Sequence, residues 1–155
     1  MRLVVLYGEL AGYILACFHR FAEKYNAEVH VFRKELNEDA PFDFTLPGNV
    51  KVYDRKNFDN EHLFAIIEKI KPDGILCGGW RYNPYLALSK KYRNEIPVIL
   101  GLDNKWENSI KQNMLSLFSK RYFQKHFSSC WVPGVKQVEF AGRIGFSKKN
   151  IFQKA

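Results

Sequence analysis

Short apolar runs alternate along the chain with segments whose apolar residues recur every three or four positions. Most of the runs have the length and the Val, Ile and Leu content of strands buried on both faces of a parallel sheet. The predicted strands cover residues 2–7, 27–32, 49–54, 74–78, 96–102, 129–134 and 150–153. The predicted helices cover residues 14–25, 61–71, 85–94, 109–128 and 135–146. Repeated strand–helix–strand units predict a doubly wound parallel sheet in three α/β/α layers.

The composition fits a single globular domain. The chain has 155 residues, of which 46% are hydrophobic and 26% charged, enough for a substantial core. No apolar run reaches the roughly 18–20 residues of a transmembrane helix, and we expect no signal peptide. The three cysteines, Cys17, Cys77 and Cys130, form no CxxC pair and indicate a reducing compartment. We therefore expect a cytoplasmic protein.

The positive charge of the chain is confined to its last third. The net charge is +8, yet residues 1–107 hold 15 basic and 15 acidic side chains. Residues 108–155 hold 9 basic side chains and one acid, Glu139. Such a field attracts a phosphate group, a nucleic acid or the inner leaflet of a membrane. Because no RRM, KH or helix-turn-helix pattern is present, we expect no nucleic-acid partner.

The helix predicted over residues 109–128 carries much of this charge. It has no acid, and its basic residues are Lys111, Lys120, Arg121 and Lys125. Its apolar stripe consists of Ile110, Met114, Leu117, Phe118 and Tyr122, broadened by Phe123 and Phe127. One interpretation packs this stripe on the core. The other lays the helix on an anionic membrane, with Lys120, Arg121 and Lys125 facing the lipid.

In a doubly wound sheet, ligands bind at the carboxyl ends of the strands, here the loops 8–12, 78–84 and 102–107. The first loop, GELAGY, opens a helix whose N-terminal N–H groups face an anion in many proteins. It lacks both the GxGxxG and the GK[ST] spacing. Gly8 and Gly12 are equally consistent with a simple tight turn.

The second loop, CGGWRYNPY, combines aromatic and polar side chains. Trp80 and Tyr82 offer flat faces of the kind on which sugar rings stack, and Arg81 and Asn83 offer hydrogen-bond donors. The alternative interpretation packs Trp80 and Tyr85 on a neighbouring helix and leaves Arg81 in solvent.

The third loop, GLDNKWEN, places Asp103 directly after a predicted central strand. A carboxylate there suits general-base work or a hydrogen bond to a substrate hydroxyl. Alternatively, Asp103 or Asn104 forms an Asx turn or caps the next helix. The four histidines show no metal-ligand spacing, and no acyl-transfer motif is present, so we expect no metal.

The end of the chain, SLFSKRYFQKHFSSCWVPGVKQVEFAGRIGFSKKNIF, resembles the end of the N-terminal domain of family 4 GT-B glycosyltransferases. In that family a long helix leads into a short strand, then into a small turn like VPG, and then into a second helix. The second helix carries a sequence pattern that is matched here from Gln137 to Gly142 and on to Gly145-Phe146. The strand introduced by Pro72-Asp73 agrees in order with the same family.

The resemblance implies that the whole chain is the Rossmann-like, acceptor-binding half of a retaining, metal-independent enzyme that uses a nucleotide-sugar donor. No cofactor is implied, and most of the donor site would belong to a C-terminal domain absent from this chain. Asp103 would orient the acceptor or act as a base. The resemblance also places Gly12, with Glu9 before it, at the donor diphosphate loop. From the chemistry of the second and third loops we predict Arg81, Asn83, Asn104 and Trp80 as the acceptor-binding residues.

A basic amphipathic helix would suit a lipid-linked or cell-envelope glycan acceptor at the inner membrane face. Two other functions remain open from the sequence. One is a non-catalytic, flavodoxin-like or nucleotide-binding module that binds its ligand alone. The other is a peripheral membrane adaptor, which would be indifferent to changes at Asp103.

Overall fold

A computed structural model describes residues 1–8, 12–33 and 48–153, apart from the side chain of Tyr13. Strands and helices alternate through them. The strands are β1 (Arg2–Tyr7), β2 (Glu28–Arg33), β3 (Val50–Asp54), β4 (Gly74–Gly78), β5 (Val98–Gly101), β6 (Ser129–Val132) and β7 (Ile151–Gln153). The α-helices are α1 (Gly12–Tyr25), α2 (Asn60–Ile70), α3 (Asn83–Tyr92), α4 (Ile110–His126) and α5 (Val135–Arg143). Short 3-10 helices cover Arg55–Asn57 and Lys148–Asn150.

The strands form one sheet in the order β3-β2-β1-β4-β5-β6-β7. β1 pairs in parallel with β2, β2 with β3, β5 with β6, and β6 with β7. The order 3-2-1-4-5-6 is that of Rossmann-like, doubly wound sheets. The predicted fold class is confirmed, and each predicted strand agrees with the structure to within two residues at either end.

The chain divides into two compact units, Met1–Leu76 and Cys77–Ala155. In the first, β1 and β2 align from Arg2 opposite Glu28 to Leu6 opposite Phe32. Its core is apolar: Val4, Val5, Leu6, Val29, Val31, Phe32, Ile14, Leu15, Phe18, Ala22, Leu63 and Ile67 are buried. Burying each large side chain contributes about 1.5–3 kcal/mol.

Turn chemistry in the first unit follows the sequence. Helix α1 ends before Asn26, which has the left-handed φ of 45° that asparagine tolerates better than most residues. Asp59 caps α2 by accepting a hydrogen bond from the His62 N–H at 2.8 Å. The Arg2 N–H donates to Asp73 Oδ2 at 2.6 Å, and the Asp73 N–H donates to the Arg2 carbonyl at 2.8 Å. The Pro-Asp pair thus ties the start of β4 to that of β1.

The core of the second unit is largely aromatic. Its fully buried rings, Phe123, Phe127 and Phe140, come from α4, the residue after it, and α5. Phe123 and Phe127 lie 6.3 Å apart between ring centroids. Tyr85, Leu88 and Tyr92 of α3, together with Leu100, Leu102, Val132, Ala141, Ile144 and Phe146, complete this core.

Helix α4 buries a different side from the one that the core-packing interpretation predicted. Its buried residues are Ser119 and Phe123, whereas Ile110, Met114, Leu117 and Phe118 are exposed. Packing on the core is therefore wrong for these four residues of the predicted stripe, whereas Phe123 and Phe127, which broaden it, are buried. Phe123 lies on the opposite side of the helix from Ile110, Met114 and Leu117, and the tertiary structure buries the side that carries Phe123.

Candidate functional site

An open polar pocket of about 340 Å³ lies at the carboxyl end of β5. It is lined by Asp103, Asn104, Lys105, Glu107, Gln112 and Gln137. The first four belong to the loop after β5, Gln112 lies in the first turn of α4, and Gln137 in the first turn of α5. The pocket therefore occupies the edge of the sheet that parallel topology favours for ligands.

Gln112 holds the loop from the α4 side. Its Oε1 accepts a hydrogen bond from the Glu107 N–H at 2.7 Å, and its Nε2 donates to the Lys105 carbonyl at 2.8 Å. One amide side chain thus satisfies a main-chain donor and a main-chain acceptor that the loop does not pair internally. Exposed loops without such partners are more mobile.

Gln137 holds the loop from the α5 side. Its Nε2 donates to the Asp103 carbonyl at 3.1 Å. The Trp106 N–H donates to the Lys136 carbonyl at 3.3 Å, so a second main-chain contact joins the loop to the same helix turn. Loop and helix are therefore connected at two adjacent points.

Trp106 anchors the middle of the loop. Its side chain is buried, its ring lies 5.8 Å from that of Phe140, and the Arg143 guanidinium stacks 4.4 Å from its centroid. Arg143 is oriented by Glu139, whose Oε1 accepts from its Nη2 at 3.0 Å. Such cation–π contacts contribute about 0.5–1 kcal/mol at exposed sites.

The loop ends at a distinct turn. Asn108 has a φ of 55°, and Asn113 Nδ2 donates to its Oδ1 at 3.1 Å. Ser109 is the N-cap of α4 and accepts from the Gln112 N–H at 3.3 Å. Capping of α4 by Asp103 or Asn104, an alternative from the sequence, is therefore wrong.

The side chains left for a ligand are those of Asp103 and Asn104. Both residues are exposed, and within residues 1–8, 12–33 and 48–153 neither side chain makes a hydrogen bond or ion pair. Lys105 and Glu107 pair with each other at 3.1 Å, so their charges largely compensate. The pocket thus offers one carboxylate and one amide on a braced main chain.

The residues predicted from the second loop lie elsewhere. Arg81 and Asn83 are exposed at the start of α3 and do not line the pocket. Trp80 packs edge to face against Phe123 and Phe140, with centroid distances of 5.6 and 6.5 Å. These contacts, and the burial of Tyr85, agree with the packing interpretation of this loop.

The other predicted residues fall into two groups. Gly12 is the first residue of α1, and Glu9 lies outside the described residues. Lys120, Arg121 and Lys125 are exposed on α4.

Gln112 and Gln137 were not predicted as site residues. A usable signal existed: both lie two residues into helices that follow β5 and β6, whose carboxyl ends share one edge.

In the described part of the chain, no three His, Cys, Asp or Glu side chains come together in a way that would hold a metal ion. No helix there is long and apolar enough to cross a bilayer.

Fold and site define a Rossmann-like α/β domain with a polar pocket after β5. No family model and no curated protein matches the chain. This chain is similar to a solved structure of L-threonine dehydrogenase from Clostridium difficile, with 11% sequence identity and a TM-score of 0.52. The match covers 86% of this chain and 53% of the dehydrogenase chain.

A second match is dTDP-glucose 4,6-dehydratase from Bacillus anthracis, solved in complex with NAD, with 16% identity, 86% and 54% coverage and a TM-score of 0.48. That likeness is too weak to carry an argument, and at such identities the first shows the fold alone. The chain spans about half the length of both proteins. The resemblance to family 4 glycosyltransferases stays a prediction.

Proposed function

We propose that this chain is the acceptor-binding domain of a GT-B glycosyltransferase and that a hydroxyl-rich acceptor binds in the pocket after β5. One observation carries the proposal: the unpaired Asp103 carboxylate and Asn104 amide project from a loop braced by Gln112 and Gln137. When the main chain of a loop is fixed by hydrogen bonds and its polar side chains are unpaired, the loop can orient a ligand at a low cost in conformational entropy.

The chemistry of the pocket favours a sugar hydroxyl over a phosphate. Asp103 is negative and accepts hydrogen bonds only, which suits the O–H of a sugar and repels an anion. Asn104 both donates and accepts. Lys105, the cation that lines the pocket, is paired with Glu107. A neutral polyol therefore fits this group of side chains best.

In the reaction that the family resemblance implies, the acceptor oxygen forms a bond to the anomeric carbon of the donor sugar. The bond from that carbon to the leaving phosphate oxygen breaks, and the proton of the acceptor hydroxyl passes to a phosphate oxygen of the leaving group. Asp103 accepts a hydrogen bond from that hydroxyl and so orients the acceptor oxygen towards the anomeric carbon. The donor is held mainly by a further domain.

The test is a nuclear magnetic resonance titration of this chain with methyl α-glucoside, methyl α-mannoside and N-acetylglucosamine. We expect millimolar binding with shift changes centred on the 102–107 and 134–138 amides. Asp103→Asn should weaken binding about tenfold, as expected for a lost hydrogen bond to a charged group. Glu95→Gln, the same chemical change at an exposed carboxylate outside the pocket, should leave it unchanged.

Other results would overturn the proposal. Shift changes centred away from the pocket, no response to any of the three sugars, or equal effects of the two variants would each do so. Titrations with NAD⁺, flavin mononucleotide and UDP-glucose complete the test. Micromolar binding of any of them by this chain alone would favour a self-sufficient nucleotide-binding module instead.

A further inference from the structure

Helix α4 exposes a continuous apolar face. Ile110, Met114, Leu117 and Phe118 are 80%, 59%, 76% and 81% exposed, respectively. Their spacing of four, three and one residues places them on one side of the helix, opposite the buried Phe123 and Ser119. Single exposed apolar side chains are common, but a contiguous group of large ones marks an interaction surface.

The same side of α4 is positively charged. Arg121 and Lys125 are exposed and lie on the helix wheel within the sector that runs from Ile110 to Phe118. Lys111 borders that sector. No acidic residue occurs between Asn108 and Val138. We call Ile110, Met114, Leu117, Phe118, Arg121 and Lys125 the α4 face.

Lys120, predicted to face lipid, lies outside this face. A Cβ built on Gly145 would stand 2.9 Å from the Lys120 Cα, so the Lys120 backbone abuts the segment after α5. The tertiary structure therefore selects Arg121 and Lys125 from the three basic residues predicted to face lipid.

We propose that the α4 face docks on an anionic lipid bilayer, with its apolar side chains in the headgroup–acyl boundary and its basic residues on lipid phosphates. Charge complementarity decides the occupant: an apolar helix face with cations and no anion is the pattern of interfacial helices. α4 lies in the plane of the interface and does not span it. This docking is independent of the pocket and holds whether or not the acceptor is a sugar.

The test uses this chain with sucrose-loaded vesicles of phosphatidylcholine alone or with about 40% phosphatidylglycerol, measured by co-sedimentation. We expect binding to the anionic vesicles only, decreasing as salt rises because exposed charges are screened. R121Q/K125Q should weaken the partition coefficient about thirtyfold, from about fivefold (about 1 kcal/mol) per basic residue at an anionic surface. L117S/F118S should weaken it at least as much, since two large apolar anchors of about 1.5–3 kcal/mol each at full burial are lost.

Two controls isolate the α4 face from general attraction. K148Q/K149Q removes the same charge from exposed positions in the 3-10 helix before β7, and V135S removes a 75% exposed apolar side chain from the start of α5. Both should change the partition coefficient less than about threefold. Circular dichroism checks that each variant is folded. We expect all of them to fold because the substituted side chains are exposed.

Three results would overturn the proposal. The first is no binding of the folded chain to anionic vesicles. The second is an equal loss in K148Q/K149Q and R121Q/K125Q, which would indicate attraction without a defined face. The third is a dimer in analytical ultracentrifugation that L117S/F118S dissociates while vesicle binding is absent, which would assign the face to a second copy of this chain.

Discussion

Gln137 Nε2 donates a hydrogen bond to the main-chain oxygen of Asp103 at 3.1 Å, joining the loop after β5 to the helix after β6. The bond leaves the Asp103 carboxylate unengaged while it restrains the main chain that carries it. Because Gln112 restrains the same loop from α4, the side chains facing the pocket are positioned by two helices.

Gln137→Leu tests this restraint. Leucine keeps most of the side-chain volume but cannot donate to Asp103, so the loop should open more often while the fold loses only about 0.5–1.5 kcal/mol of unfolding free energy. Hydrogen exchange of the Trp106 and Glu107 amides, which donate to Lys136 and Gln112, should accelerate at least about threefold. Gln153→Leu, at an exposed glutamine in β7, should change neither rate. Unchanged exchange in the Gln137 variant would show that the bond does not brace the loop.

Gly145→Ala should be strongly destabilising. Gly145 has a φ of 108°, which L side chains rarely adopt, and an added Cβ would meet Lys120 Cγ at 2.6 Å and its Cα at 2.9 Å. We expect a loss of about 2–4 kcal/mol, measured by urea denaturation. The control is Gly142→Ala, where a Cβ meets nothing within 4 Å inside α5. That variant should be stabilised by about 0.5–1 kcal/mol, and equal effects would contradict the close approach.

The stability of the first unit should depend on pH through His30. The side chain is buried, its Nδ1 lies 3.0 Å from the Tyr53 hydroxyl, and its Nε2 lies 3.2 Å from Glu28 Oε1. Burial lowers the pKa of His30 below its ordinary 6.5, with Lys51 and Arg2 acting in the same direction and Glu28 opposing them. The folded state therefore binds this proton less readily than the unfolded one.

Consequently, the contribution of His30 is complete above the unfolded pKa of about 6.5 and is lost as the pH falls towards the folded pKa. The slope from one proton is at most about 1.4 kcal/mol per pH unit. Urea midpoints measured from about pH 7.5 down to about pH 5 should show this loss of stability as the pH falls. His30→Gln should flatten the profile, whereas His19→Gln, on the partly exposed α1 surface, should not. A profile that stays equally steep in His30→Gln would refute the assignment.

The three thiols should react at very different rates. Cys17 is exposed, whereas burial raises the pKa of both Cys77 and Cys130 to about 12. Only the thiolate attacks an aromatic disulfide reagent, so one thiol per chain should react quickly at pH 8 and two only upon unfolding. Cys17→Ser should abolish the fast phase. Any fast thiol that remains in that variant would show that Cys77 or Cys130 is accessible.

Local sequence pattern was sufficient to predict the order of the regular elements and, within two residues, the bounds of the strands. Residues 2–7 were predicted as the first strand and form β1, because a run of apolar residues between turn signals is a property of the local chain. Likewise Asn26 ends α1 with the predicted punctuation. The parallel topology followed from alternation, and topology in turn located the β5 loop and Asp103 at the pocket.

Which surfaces of these elements are buried and which are exposed could not be read from local pattern. Apolar residues occupy more than one side of α4, so helical periodicity could not tell that Phe123 is buried while Leu117 and Phe118 are exposed. Sequence pattern left open whether Trp80 stacks on a ligand or packs on a helix, and the contacts of its ring with Phe123 and Phe140 come only from the fold. Gln112 and Gln137 became site residues through hydrogen bonds to a loop that neither adjoins in sequence. Local pattern reflects the geometry of one segment, whereas burial and partners depend on segments brought together by folding.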